Sequence, residues 1–396
     1  MLDIPRVQVQ IKSKIGLLSK ELKKYPDITD ELVDYLMKLR FSNLTCMENE
    51  IDFLVKRFRE LAYPIYRPEI SPPNPKYGDV IDHEWALRAL SNCCVIGVDT
   101  SEIAPTPHIA PLFLLVNVGF QAIIYGEKPN HINGSRPNFY IYSELAEEFE
   151  GVRRLPSWVL EVKRIENELA VISNVADLIK GVEHKIVLFD ESFSLSYLMT
   201  RDRKFRVRVA RAMWDLLCRL RDLNVIPVGV FYTRSKALVR SIVKLVACSG
   251  LECRSCASSE KVCSKFSFVR DSILMNRALD VGWCSPIFGV LNPVTLSMPH
   301  FKIVSFYLKL SSDNVVRVEF PEWCLNYVDV IRDVVLAQSI IGRGYPYVLE
   351  RAHEEAYISS RERRWVLSYI DKLIRSHGGS GIVLSGKFKR KIRGVL

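Results

Sequence analysis

Val95-Ile96-Gly97-Val98-Asp99-Thr100-Ser101 and Ile186-Val187-Leu188-Phe189-Asp190-Glu191-Ser192-Phe193 are the stretches whose reading decides the fold. Each is a short apolar run that closes on a carboxylate, the pattern of a buried strand leaving its sheet. Around them, Cys94 to Asp99, Leu112 to Val118 and Gln121 to Tyr125 read as three consecutive strands. A helical stretch from about Ser143 to Lys180 follows. Then come the strand Lys185 to Asp190, the basic helix Arg203 to Leu223, the strand Val225 to Phe231 and the helix Ser235 to Ala247. Two later strands, Ile303 to Lys309 and Val315 to Phe320, and helices between Val328 and Ser376 complete the chain.

Three strands, a helical crossover and then strand-helix-strand is the order of an RNase H-like α/β domain, a mixed sheet flanked by helices. In that topology the first and fourth strands are parallel neighbours. Asp99 and Asp190 are then expected to face each other at the carboxyl ends, where open α/β sheets place their sites. Ahead of this domain, Val7 to Tyr25, Glu31 to Leu39 and Asn49 to Ala62 carry apolar residues three and four apart and read as helices. Pro64, Pro68, Pro72, Pro73 and Pro75 read as a linker. The expected division is therefore an N-terminal helical region with its linker over 1–75 and a main domain over 76–396.

With 396 residues the chain can bury a large core. Its net charge of +10 favours a polyanionic partner, nucleic acid or an acidic membrane surface. Nothing approaches the roughly 18 apolar residues of a membrane span, and Met1-Leu2-Asp3-Ile4-Pro5-Arg6 has no uninterrupted apolar leader. A cytoplasmic protein is expected, without membrane partners. No Gly-x-x-x-x-Gly-Lys-Ser/Thr loop is present, which argues against ATP hydrolysis by the chain itself. Of ten cysteines, Cys46, Cys93, Cys94, Cys218, Cys284 and Cys324 read as small buried hydrophobes. Cys248, Cys253, Cys256 and Cys263 cluster with a Cys-x2-Cys centre, and zinc or iron–sulfur ligation, disulfides and free thiols are all open readings.

The paired strand-end aspartates suit phosphodiester hydrolysis. Two divalent ions about 3.5–4 Å apart clamp the attacking and leaving oxygens of such a reaction, and hard ions take carboxylate oxygens. The helix before the second aspartate, through Arg164-Ile165-Glu166-Asn167-Glu168-Leu169-Ala170, offers two candidates for a third carboxylate. Near the C-terminus, Gly344-Tyr345-Pro346-Tyr347-Val348-Leu349-Glu350-Arg351-Ala352-His353 is a glycine–proline turn running into a helix. It mounts a phenol and an imidazole in one neighbourhood, and imidazole moves protons near neutral pH. Arg201, Arg203, Lys204, Arg206, Arg208 and Arg211, with the tail Lys387-Phe388-Lys389-Arg390-Lys391-Ile392-Arg393, supply cations for phosphates or are simply solvated faces.

The stretch Gly344 to His353 resembles the NurA nuclease family, whose signature is Gly-Tyr-Pro-x-x-Leu-x-x-Ala-His. Val95 to Ser101 and Ile186 to Phe193 resemble its two Asp-Gly-Ser strand ends, and Val228 to Lys236 its later strand-to-Ser/Lys turn. The resemblance spans roughly residues 90 to 390. It implies a metal-dependent DNA nuclease, 5′-to-3′ exonuclease and single-strand endonuclease, that uses manganese, with magnesium as an alternative and two ions in the site. By the same likeness Asp99, Glu166 and Asp190 would bind metal, with Glu168 as the substitute for Glu166, His353 would ligate a metal or protonate the leaving group, and Tyr345 would orient phosphate or water. A homodimer acting on single- and double-stranded DNA with a hexameric HerA-type ATPase in end resection, mostly in archaea, is implied as well. The chain departs from the family where Thr100 and Glu191 stand in place of glycines. A non-catalytic DNA-binding subunit that stimulates the ATPase, and an RNA-directed nuclease of similar fold, are the alternatives.

Overall fold

A computed structural model of the chain describes residues 2–38, 51–66, 70–78, 80–105, 109–110, 113–149, 157–248, 265–298, 300 and 302–384. Two compact units share the chain: Met1–Pro72 with Tyr232–Arg317, and Pro73–Phe231 with Val318–Leu396. The first break falls at the proline cluster. The segment before it groups with residues 232–317 instead of standing alone.

In chain order the first unit opens with α1 (Ile4–Met37), α2 (Ile51–Phe58) and β1 (Leu61–Tyr66). The second unit follows with α3 (His83–Ala89), β2 (Cys93–Ile103), β3 (Ile109–Ala110), β4 (Phe113–Ile124), β5 (Asn130–Ile141), α4 (Tyr142–Glu148), α5 (Ser157–Leu178), β6 (His184–Phe189), α6 (Arg203–Asp222) and β7 (Val225–Phe231). The first unit resumes with α7 (Ala237–Ile242), α8 (Asp271–Ala278), β8 (Ile287–Leu291), α9 (Pro293–Ser297) and β9 (Ile303–Lys309). β10 (Val315–Pro321) carries the chain back to α10 (Val328–Ile341), α11 (Tyr347–Ala356), α12 (Ser360–Ser376) and β11 (Val383–Leu384).

The fold is α/β with a mixed sheet flanked by helices. In the second unit the strands run β7-β6-β2-β4-β5. β2 is parallel to β6 and β6 to β7, whereas β2–β4 and β4–β5 are antiparallel. The β2–β6 register pairs Gly97 with Leu188 and Val98 with Phe189. Asp99 and Asp190 are thus the next residues of two parallel neighbours, as the topology predicts.

Several elements differ from the expectation. The segments read as two strands at 112–118 and 121–125 are one strand, β4, with Gly119 inside it. The third strand is β5, which the sequence reading left out. It lies last in the strand order and is mostly exposed, so no apolar alternation marks it. α1 continues through Pro26, where a break between two helices was expected; proline removes one helical hydrogen bond and the helix bridges the gap. Pro64, read as linker, lies within β1, which pairs with β8 alone and shifts register between Pro64 and Tyr66. An outermost strand tolerates a residue that cannot donate to a ladder.

The smaller unit has its own core, in which Leu32, Leu54, Ile242, Leu274, Phe288 and Tyr307 are buried together. Asp271 is buried there and accepts hydrogen bonds from the Leu238 and Val239 amides and the Tyr307 hydroxyl. Cys248 packs in the same core, while Cys253, Cys256 and Cys263 fall outside the described residues. Cys93, Cys94, Cys284 and Cys324 are buried, as expected of small apolar groups. Cys218 is half-buried, and Cys46 and the basic tail Lys387–Arg393 also fall outside the described residues. Among the described residues no helix is long and apolar enough to cross a membrane.

Candidate active site

The site is built where α11 crosses the ends of β2 and β4. A Cβ added to Gly97 would stand 2.2 Å from the Val348 carbonyl oxygen, and one on Gly119 would stand 2.1 Å from the Ala356 nitrogen. Gly119 is the register partner of Asp99. These two glycines let the helix backbone rest on the sheet itself. Polar side chains fix both helix ends: Gln338 accepts from the Val348 amide at 3.2 Å, and Asn117 donates to the Ala356 carbonyl at 2.9 Å. Before the helix the chain turns through Arg343 (φ 55°) and Gly344 (φ 118°), the second a conformation suited to glycine. His353 is thereby set over the strand that carries Asp99.

On this face Asp99 Oδ2 lies 2.6 Å from His353 Nδ1, and Asp99 Oδ1 accepts the Thr100 amide at 2.8 Å. Tyr345 lies beside Asp190 and holds its pKa down. Burial pushes the Asp190 carboxyl above its ordinary pKa, helped by the neighbouring charges of Asp99 and Glu191 and opposed by Tyr345 and His353. Asp99, Asp190, Tyr345 and His353 therefore converge, from four separate parts of the sequence.

Strand residues alternate faces, so Thr100 points the other way, toward α5. Its hydroxyl donates to Glu168 Oε1 at 2.7 Å. The Glu168 side chain is only 3 % exposed. Burial, with Glu191 and Asp99 close by, pushes its pKa up to about 8 against the pull of Arg164. Glu166, the residue assigned by resemblance, is not in this cluster. It is 48 % exposed and pairs with Lys163 at 2.9 Å, which in turn holds Glu148. Two residues apart on a helix is about 200° of rotation, so Glu166 and Glu168 face opposite ways. Of the two glutamates, Glu168 is the one close to Asp99 and Glu191. Glu168→Gln is accordingly expected to impair catalysis at this site severely, and Glu166→Gln to leave it within about a factor of two to three, the size of an ordinary surface change. Rate measurements on the two variants side by side check this.

Arg164 sits against three carboxylates, at 2.6 Å from Glu191, 3.4 Å from Glu161 and 3.7 Å from Glu168. The loop beyond Asp190 is held by Glu319 of β10, which accepts from the Ser192 hydroxyl and the Ser194 amide, both at 2.9 Å. Sequence reasoning missed Arg164 and Glu319. For Arg164 a signal existed in its i,i+4 spacing to Glu168. Glu319, in an apolar strand 127 residues from Ser192, gave none.

The donors suit a hard divalent cation, being carboxylate oxygens with one imidazole. Buried Glu168 Oε2 and Glu191 Oε1 have no hydrogen-bond partner, which is unusual for buried polar oxygens and leaves each with lone pairs for a cation. Among the described residues no three His, Cys, Asp or Glu side chains form a ready chelate. Ligation therefore requires carboxylates to turn from their present partners.

A mixed sheet with acidic groups at adjoining parallel strand ends, roofed by a tyrosine–histidine helix, defines the class as an α/β protein with a hydrolase-type site. The family model for the NurA domain matches residues 94–358, well over half of the chain. The chain belongs to the NurA family, a family of nucleases. Among solved structures it is similar to the NurA nuclease from Sulfolobus solfataricus, at 14 % identity and a TM-score of 0.47, covering 95 % of this chain and 98 % of that one. It is also similar to a NurA with manganese, at 10 % identity and a TM-score of 0.37, covering 92 % and 98 %. No curated protein matches.

Proposed function

We propose that the chain is a metal-dependent deoxyribonuclease, a 5′-to-3′ exonuclease and single-strand endonuclease that resects DNA ends with a hexameric HerA-type ATPase. The observation that carries this reading is the meeting of Asp99 with His353 and of Asp190 with Tyr345 at the ends of two parallel strands. Asp99, Asp190 and Glu168 would hold the cation, manganese or magnesium. When bound, the cation polarises the phosphodiester and lowers the pKa of the attacking water. Asp99 fixes the imidazole of His353 through Nδ1, which leaves Nε2 as the atom that gives a proton to the leaving oxygen. Tyr345, beside Asp190, would orient the phosphate or the water, and the Gly344 turn keeps the ring in place.

DNA is gripped by α6. Arg203, Lys204, Arg208 and Arg211 are exposed along it and Arg201 just before it, while Phe205, Val209, Met213 and Leu217 bury the opposite face. Binding of this kind is sequence-independent and weakens with salt. A homodimer is supported by the exposed apolar residues Ile4, Val9, Ile11, Ile15 and Leu18 on the first half of α1.

His353→Ala is expected to lower turnover by roughly 10²–10⁴-fold with DNA affinity little changed, as for loss of a proton donor. Tyr345→Phe keeps the ring and costs less. Steady-state rates and filter binding on both variants check the split. The reading as a whole is tested with labelled single- and double-stranded DNA in Mn²⁺, Mg²⁺ or EDTA. Cleavage with Mn²⁺ and none with EDTA is expected; DNA intact under every condition overturns it. A second reading, a non-catalytic DNA-binding subunit, is favoured by Thr100 and Glu191, whose side chains engage Glu168 and Arg164 where the family has glycines. Intact DNA together with a stimulated partner ATPase would select it.

A further inference from the structure

We infer that Trp365 and Tyr369, on the outer face of α12, form a stacking platform for the bases of single-stranded DNA beside the acidic site. The inference rests on the DNA-cleaving reading above and adds a binding surface to it. The two residues stand four apart on the helix, so they share a face. Their rings are stacked, 5.1 Å between centroids and 6° from parallel. Trp365 is 63 % exposed and Tyr369 48 %, although aromatic rings of this size normally bury their surface. The opposite face of α12 is the one that holds the helix down: Leu367, Val366 and Ile370 pack there against Ile103 and Phe113. The core therefore makes no use of the stacked pair.

Position and charge select the ligand. Asp99 and Ile103 are four residues apart on β2, so both point to the sheet face that carries α11 over Gly97. Ile103 packs against α12 about 13 Å along the strand from Asp99. Arg363 Nη2 ties α12 to the Glu102 carbonyl at 3.1 Å. A DNA strand leaving the acidic site toward the end of β2 therefore runs onto α12. Arg361 and Lys372, four residues before Trp365 and seven after it, fall on the same helix face as the rings. Both are exposed and have no ion-pair partner among the described residues. The acids of α12 are engaged elsewhere: Glu362 caps the helix and Asp371 holds Arg375. A second copy of this chain would bring like cations against each other. Phosphates are drawn to them instead, and every base offers a flat face to an aromatic ring. In a duplex the bases are already stacked on one another, so the platform favours single strands.

Fluorescence anisotropy with labelled DNA in EDTA, where the strands stay intact, tests this on the full chain. Trp365→Ala is expected to weaken binding of a single strand by roughly 5- to 150-fold, the loss of one stacked base, and to change binding of a blunt duplex by less than about twofold. Tyr369→Ala should act in the same direction, and Trp365→Phe, which keeps a ring, should recover most of the affinity. The unaltered protein should bind an abasic strand at least as weakly as Trp365→Ala binds the normal one. Circular dichroism establishes that each variant is folded, which the exposure of both side chains favours. Unchanged single-strand affinity in both alanine variants would overturn the platform and leave the nuclease reading standing, and so would an equal loss on duplex and single strand. Loss of a dimer in sedimentation with single-strand affinity unchanged would overturn it too and assign the face to a second copy. No binding of either DNA by the unaltered protein would overturn both readings.

Discussion

Asp99→Ala and Asp190→Ala are each expected to abolish DNA cleavage while the protein stays folded and binds DNA. Neither aspartate is bound into the core of the fold. Asp99 reaches a histidine whose side chain is 69 % exposed, and Asp190 lies just past the end of its strand. Asp190 gives the sharper test through Asp190→Asn. Its carboxyl is raised above the ordinary value in the folded protein, by burial first and by Asp99 and Glu191 after that. A carboxyl raised on folding contributes stability that is fully present below its unfolded pKa and lost as the pH climbs through its folded pKa. At neutral pH the charge therefore works against the fold. Asp190→Asn should melt at the same temperature as the unaltered protein or higher, measured without metal at pH 7, and yet be inactive. A large drop in melting temperature would mark Asp190 as a structural residue and remove the basis of the site.

The largest loss of stability is expected from Gly119→Val. Its Cβ would fall 2.1 Å from the Ala356 nitrogen, 2.4 Å from the Ala352 oxygen and 2.6 Å from the Glu355 carbonyl carbon, all backbone atoms of α11 that cannot swing aside. Overpacking typically costs about 1–3 kcal/mol, and a clash with backbone lies at or above the top of that range. At roughly 2–4 °C per kcal/mol for a domain of this size, a fall in melting temperature of about 6 °C or more is expected. Cleavage should fall as well, because α11 can relieve the clash only by lifting His353 from Asp99. Gly16→Ala supplies the control: Gly16 lies inside α1 with nothing within 4 Å of its would-be Cβ. That change should be neutral or stabilise by up to about 1 kcal/mol. Thermal melts of the two variants against the parent settle the comparison, and a parent-like melt for Gly119→Val would show that α11 is not seated on β4.

Much of the acidic site was legible in the sequence because burial leaves a simple mark. β2 and β6 are buried strands, so their apolar runs stand out and the carboxylates that end them are conspicuous. The same logic failed for β5, whose exposed, polar residues carry no alternation. It failed again at Gly119, which reads as a break in a strand when its role is to admit a helix backbone. Glu166 and Glu168 could not be told apart, since the choice depends on the rotation of α5 about its axis, and that is set by contacts with β2 and β4. Arg164 and Glu191 were visible as residues. Their pairing depends on where the loop after β6 turns, and the 27 positions between them do not reveal that.

The seating of α11 on β2 has a consequence for how the protein is made. Asp99 and His353 are separated by 254 positions. At roughly 5–20 residues per second, synthesis takes on the order of tens of seconds to pass from one to the other. Throughout that interval the ribosome displays a chain with Asp99 and, later, Asp190, but with neither Tyr345 nor His353. On the roles proposed here such a chain is inert, and so is any product of premature termination or of a frameshift before residue 353. A cell making such a nuclease thus has its cleavage step withheld until residue 353 has been added, by the order in which the parts leave the ribosome.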